Sequence, residues 1–176
     1  MKQSKFILMA SLLAATTSIF AGNPVFMING KKINTFDTQK VVISKLGKPK
    51  FIDNGGNLNW GNDYNDPEIT ASFDQYGLHS LFTNKGSIIL DGKTVVIGKD
   101  TPNTIKSKFK QSCEVWDGGQ MMMTHYNIIL TGEEGESHVE FTNSQDKPRS
   151  GDKSLLNKPI TAANYSFENT WEDRCH

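Results

Sequence analysis

Val25-Phe26-Met27-Ile28-Asn29-Gly30-Lys31-Lys32-Ile33-Asn34 is written again, in altered letters, as Ser87-Ile88-Ile89-Leu90-Asp91-Gly92-Lys93-Thr94-Val95-Val96-Ile97. Each stretch sets apolar residues around Asn-Gly or Asp-Gly, a pair that accepts positive φ and closes a tight two-residue turn. Each therefore predicts a β-hairpin. The core of the match, Ile28-Asn29-Gly30-Lys31 against Leu90-Asp91-Gly92-Lys93, is displaced by 62 positions. Further along, Asp37-Thr38 matches Asp100-Thr101, Leu46 matches Phe109 and Asn54-Gly55-Gly56 matches Asp117-Gly118-Gly119, all at 63. Finally His79-Ser80-Leu81-Phe82-Thr83-Asn84 matches His138-Val139-Glu140-Phe141-Thr142-Asn143 at 59. These matches, in one order and with slowly drifting spacing, point to an internal duplication.

After each hairpin an Asp-Thr pair offers a side-chain oxygen to the free amides of a helix start. The first helix is expected over Gln39 to Leu46, stopped by Gly47 and Pro49, and the second over Pro102 to Phe109. Both are too short to be stable alone, so each must lie on a sheet. Extended segments follow: Lys50 to Asp53, Asn57 to Trp60, Glu68 to Asp74 and Leu78 to Thr83 in the first copy. In the second they are Glu114 to Trp116, Gln120 to Tyr126, Asn127 to Thr131 and Ser137 to Thr142. The expected fold is α+β: two tandem hairpin-helix-meander repeats, residues 22–84 and 85–143, forming antiparallel sheet with the short helices packed on one face and the other face open. Residues 144–176 form a tail whose Tyr165 to Trp171 stretch packs back on the body.

Lys2 and Lys5 precede an apolar run from Phe6 to Ala15, and small residues end at Ala21 before Gly22 and Pro24. That is the layout of a secretory signal peptide over residues 1–21, and it predicts a periplasmic or secreted protein. No acylatable cysteine stands at the cleavage point, and no later run is long enough to cross a bilayer as a helix. An oxidising compartment and an even cysteine count predict a Cys113–Cys175 disulfide that pins the tail. With 19 basic and 19 acidic residues in 176, nothing neutralises a phosphate backbone, so no nucleic acid is expected.

Serine-elbow, zinc-helix, paired-cysteine and phosphate-loop signatures do not occur, and no cofactor is expected. His79 and His138 occupy matched positions, which favours a structural role kept twice. His138 with Glu140 shares a strand face by period-two geometry, leaving a base oriented by a carboxylate as the catalytic alternative. Asn62 to Glu68 concentrates oxygen side chains but lacks a calcium-loop register, so an Asx-rich turn is preferred and no metal is expected. The fall in displacement from 63 to 59 gives the first copy four extra residues between Trp60 and Gly77. A protruding loop bearing Trp60, Asp63, Tyr64 and Asp66 has the composition of a partner anchor with a polar rim. Trp116, Met122 and Tyr126 are the equivalent edge in the second copy, within a Met121-Met122-Met123 run that must divide between two strand faces.

A short helix ending near Leu46-Gly47-Lys48-Pro49, followed by an aromatic meander and repeated in tandem over Val25 to Asn143, resembles the beta-lactamase-inhibitor-protein-like group. That group includes exported inhibitors and outer-membrane assembly lipoproteins of the SmpA type. The resemblance implies a sheet used as a docking surface. The expected function is an exported non-catalytic protein that binds and blocks a protein partner in the cell envelope, as an inhibitor or immunity-type protein. The alternatives are a small periplasmic hydrolase using His125 or His138, and an envelope assembly scaffold.

Overall fold

The computed structural model describes residues 19–20, 22–63, 66–110, 112–118, 123–132, 137–146 and 153–167. Its strands are β1 (Ile19–Phe20), β2 (Val25–Ile28), β3 (Lys31–Asn34), β4 (Phe51–Ile52), β5 (Leu58–Trp60), β6 (Ile69–Phe73) and β7 (Leu78–Thr83). There follow β8 (Ser87–Leu90), β9 (Lys93–Val96), β10 (Cys113–Gly118), β11 (Met123–Gly132), β12 (Ser137–Asp146) and β13 (Ala162–Phe167). Helices α1 (Gln39–Leu46) and α2 (Pro102–Lys108) follow the two hairpins, and a 3₁₀ turn covers Lys153–Asn157. The architecture is α+β and mainly antiparallel. No helix among the described residues is long and apolar enough to cross a membrane.

The turn residues set the hairpins. Asn29 and Gly30 have φ of 50° and 72°, Asp91 and Gly92 of 48° and 72°, so both turns use the left-handed pair that matches strand twist. The hairpins do not join the meanders. They form their own four-stranded sheet, β3-β2-β8-β9, in which Phe26 stands opposite Ile88. The large sheet runs β1-β11-β12-β13-β7-β6-β5-β4, with β10 on the outer edge of β11.

Two expectations change here. Gln120 to Tyr126 and Asn127 to Thr131 are one strand, because no glycine or proline interrupts Met123 to Thr131 and each residue pairs in unbroken register with β12. The tail does more than pack back. Its Ala162–Phe167 strand inserts between β12 and β7, with Tyr165 opposite both Val139 and Leu81.

Each helix is locked to the strand before it by an aspartate. The Asp37 carboxylate accepts from the Asn34 amide at 2.8 Å and from Lys45 Nζ at 2.5 Å. Asp100 accepts from the Val96 amide and from Lys108 Nζ, both at 2.7 Å, and from the Thr104 hydroxyl at 3.1 Å. The N-terminus of α2 is further closed by a reciprocal Thr101–Thr104 capping box. Burial works to raise the pKa of each aspartate, and the hydrogen bonds from lysine and backbone outweigh it, so both titrate below the ordinary value. A depressed folded-state pKa contributes stability that is present above the unfolded-state value, near pH 3.8, and is lost as pH falls through the folded-state value. Asp100→Asn should therefore lower stability by about 1–2 kcal/mol at neutral pH. The gap to wild type should close as urea midpoints are followed downward through pH 4, about the carboxylate range; a gap unchanged with pH would show that the charge is not what holds the helix.

One core joins both sheets and both helices. It takes Phe26, Ile28 and Ile88 from the small sheet, Val42 from α1, Ile105 from α2, and Leu58, Leu81, Ile128, Phe141 and Tyr165 from the large sheet. Gly77 brings the sheets together: its φ is +136°, and a Cβ there would lie 2.6 Å from the Thr35 carbonyl oxygen. That carbonyl accepts from the Leu78 amide at 2.7 Å.

Candidate binding face on the large sheet

Strand alternation sorts the large sheet into two sides. Val139, Phe141 and Asn143 of β12 point into the core with Ile128 and Leu130 of β11 and with Ala163 and Tyr165 of β13. Ile129 and Ala162 are buried yet belong to no part of that core, because they point the other way. One row on this second side follows the ladder through Phe51, Asn59, Thr70, Phe82, Asn164, Glu140, Ile129 and Cys113, crossing eight strands. A neighbouring row reads Ser72, Ser80, Ser166, His138, Thr131. Val42 of α1, Ile105 of α2 and the buried residues of the small sheet lie in the core, so these elements cover the opposite side. The face mixes polar and apolar side chains and is largely half-buried. Its side chains bond along the sheet: Thr70 Oγ1 donates to Asn59 Oδ1 at 2.7 Å, and the Ser72 and Ser80 hydroxyls are 2.7 Å apart.

At its middle lies a hollow of about 650 Å³, whose lining includes Asp66, Phe82, Asn127, Glu140, Thr142 and Asn164. Burial pushes the Glu140 carboxyl above its ordinary pKa. Along β12, His138 and Thr142 flank Glu140 on the same face, and His138 Nδ1 is 3.2 Å from the Thr131 hydroxyl.

The expected anchors are only partly here. Trp60 is 7 % exposed, in the core, and its indole N–H donates to the Gly47 carbonyl at 2.9 Å. It ends β5 on the inward side with Leu58, so it cannot reach out from the following loop. Tyr126 is fully buried, with its hydroxyl on Glu114 and its ring 4.6 Å from that of Trp116, which packs against the core. Burial, the hydrogen bond to Glu114 and its charge all raise the Tyr126 pKa. These aromatics are inward because the even-numbered positions of β10 and β11 share one side. Asp63 and Asp66 are exposed in the β5–β6 connection, and Asp66 reaches the hollow. Tyr64 and Met122 lie outside the described residues, as does Cys175, while Cys113 opens β10 opposite Ile129. His125 lies on β11 in register with Ser144 and Asp117.

The two matched histidines do not share a partner. His79 Nδ1 lies 3.4 Å from Asp74, half-exposed, whereas His138 stands on the polar face beside Ser166 and Thr131. Leu81 and Thr83 of β7 are buried inward, while their matches on β12, Glu140 and Thr142, face outward; Phe82 is outward and Phe141 is 1 % exposed. Matched letters thus fall on opposite sides, the result of a one-residue difference in strand parity. Asn164 and Phe82 were not anticipated as site residues; the alternation of Val139 and Phe141 with His138, Glu140 and Thr142 was the available signal. Among the described residues no group of three or more His, Cys, Asp or Glu side chains could hold a metal ion. No protein-family model, curated protein or solved structure matches the chain.

Proposed function

We propose that this is an exported, non-catalytic protein that binds and blocks a protein partner in the cell envelope, as an inhibitor or immunity-type protein, through the polar face of the large sheet. The observation that carries the reading is that face: eight strands cross it, and Asn59, Thr70, Asn164, Thr142 and the half-buried Glu140 stand on it beside Phe51, Phe82 and Ile129, on the side away from both helices. A partner laid across such a half-buried surface of amides, hydroxyls and apolar side chains can exchange its water for direct contacts. The block is then steric, with Asp63 and Asp66 at the rim meeting basic groups.

The leader over residues 1–21, the Cys113–Cys175 bridge and the descent from a duplicated module belong to the same proposal; on that reading β1, Ile19–Phe20 on the edge of β11, leaves with the leader. Duplication is supported by the small sheet. Phe26 and Ile88 face each other and lie 62 positions apart, the displacement of the hairpin turns, so a local dyad passes through that pair. The Asp37–Lys45 and Asp100–Lys108 ion pairs recur at 63. The meanders do not follow the dyad, since β7 and β12 run parallel to one another on either side of β13. The resemblance to the beta-lactamase-inhibitor-protein-like group enters with the duplication, as a second reason to look at the sheet face.

Affinity capture from envelope extract tests the reading. Wild type should retain a specific protein, which once purified binds stoichiometrically and loses its own activity. Asn164→Arg, which places a long side chain in mid-face, should lower that affinity by roughly 100-fold, an effect of hot-spot size. Lys40→Glu, on the exposed side of α1, should leave it unchanged. Equal affinity for wild type and Asn164→Arg would sink the choice of face.

A further inference from the structure

We infer that the outer side of the small sheet, with the helices that flank it, docks on an anionic lipid surface; the inference stands apart from the partner-binding reading and concerns the opposite side of the molecule. Overall neutrality hides a separation of charge. Residues 22–50 and 87–110, which hold both hairpins and both helices, carry eleven lysines against three aspartates, whereas 51–86 and 111–176 carry six basic residues against sixteen acidic ones. The three aspartates are already engaged. Asp37 pairs with Lys45, Asp100 pairs with Lys108, and Asp91 Oδ1 accepts from the Gly22 amide at 3.0 Å. Lys31, Lys32, Lys48, Lys99 and Lys110 are exposed and in no ion pair among the described residues.

The two units present this charge on one side. Two antiparallel strands are related by an axis perpendicular to their sheet, and here the axis passes between Phe26 and Ile88, whose side chains both enter the core. Its other end leaves through the outer side of the small sheet, with matched lysines such as Lys31 and Lys93 disposed about it. Between them lies an apolar strip. Val25, Met27, Ile89 and Val96 alternate with the buried residues of their strands, are half-buried and belong to no part of the core. They stand in two rows across four strands, Lys32-Met27-Ser87-Val96 and Asn34-Val25-Ile89-Thr94. Beside β3, the close approach of Gly77 to Phe36 sets Tyr76 next to it, and the two aromatics are 69 % and 70 % exposed. Charge and apolar surface together choose the occupant. A compact anion needs cations that converge, whereas these lie on β3, after α1, before α2 and after α2, spread as a plane of charge is spread. A nucleic-acid backbone would leave the apolar strip unused. A bilayer of anionic headgroups uses both: each lysine near it strengthens binding by roughly five-fold, and apolar side chains enter the headgroup level.

The probe is vesicles of equal parts phosphatidylglycerol and phosphatidylcholine, sedimented with the purified full chain. Vesicles of phosphatidylcholine alone should bind at least about 100-fold more weakly, and so should the mixed vesicles to Lys31→Glu/Lys32→Glu/Lys99→Glu. Phe36→Ser/Tyr76→Ser should weaken binding about ten-fold through lost apolar contact. All five side chains are exposed, so the variants should keep the wild-type melting curve. Location is read separately. On nanodiscs of the mixed lipids doped with a gadolinium-chelating lipid, amide resonances of Met27, Lys32, Phe36 and Ile89 should broaden, and those of Phe82 and Asn164 should not. Equal binding to phosphatidylcholine, unchanged binding of the triple variant, broadening centred on Asn164, or a DNA duplex bound as tightly as the mixed vesicles would each overturn the assignment. Loss of vesicle binding in the triple variant with partner capture intact separates this surface from the large-sheet face; a failed capture leaves the lipid result standing.

Discussion

Truncation after Thr161 is expected to abolish the cooperative unfolding transition, leaving a chain with no thermal midpoint by circular dichroism. The reason is topological. β13 is the only strand between β12 and β7, and it bonds to both edges over Ala162 to Phe167. Without it the large sheet separates into β11-β12 with β1 and β10 on the far edge of β11, and β4-β5-β6-β7, each part exposing a row of backbone amides and carbonyls at a new edge. The core loses Ala163 at 1 % exposure and Tyr165 at 3 %, together with the edge-on contact of Tyr165 with Phe26 at 5.8 Å. Deleting a buried aromatic alone costs about 3–5 kcal/mol. Against a total stability of roughly 5–15 kcal/mol for an ordinary domain, the loss of that side chain plus two strand interfaces is terminal.

The truncation also removes Cys175, so Cys175→Ser in the full-length chain is the control. If the bridge to Cys113 is worth about 4 kcal/mol by loop entropy, the control should melt lower yet still cooperatively. A control that fails to fold as completely as the truncation would assign the tail's role to the disulfide and not to the inserted strand. A truncated chain with a sharp midpoint would mean that the two halves of the sheet stand without β13.

Why the tail's place was hidden while the hairpins were plain follows from range. Asn29-Gly30 and Asp91-Gly92 fix their turns through φ at two residues, and Gly47 with Pro49 ends α1 within three, so local chemistry was enough to locate β2, β3, α1, β8, β9 and α2. Strand order in the large sheet is decided by contacts between segments that are far apart in the chain, as when Tyr165 meets Leu81, and no local pattern encodes that choice. The candidate face was half-legible for a related reason. Alternation marks His138 and Glu140 as sharing a side, but the match of His79 to His138 in letters implies no equality of surroundings. Period-two geometry makes the side depend on parity within each strand, and the two strands differ by one. Asp66 was placed near the site by composition alone. Trp60 and Tyr126 were drawn to it by the enrichment of aromatics at interfaces, which says nothing about which side of a strand they leave from.

Trp60 therefore yields the second large effect. Trp60→Ala should lower stability by about 3–5 kcal/mol, because a side chain only 7 % exposed is removed from a core that cannot collapse around β5 without moving Leu58 and Ile69. A further contribution of about 1 kcal/mol follows from the Gly47 carbonyl, which loses the indole N–H at the point where α1 ends. Trp60→Phe separates the two, keeping most of the apolar volume while removing the donor, and should fall about midway. Urea midpoints of the three chains at equal slope give these differences directly. The same variants decide between core and anchor. Measured in the cold, where Trp60→Ala remains folded, its affinity for the captured partner should equal that of wild type, whereas Asn164→Arg should lose affinity at unchanged stability. An anchor would show the reverse: a midpoint shifted by less than about 1 kcal/mol and an affinity lowered by a hot-spot amount of at least about 2 kcal/mol.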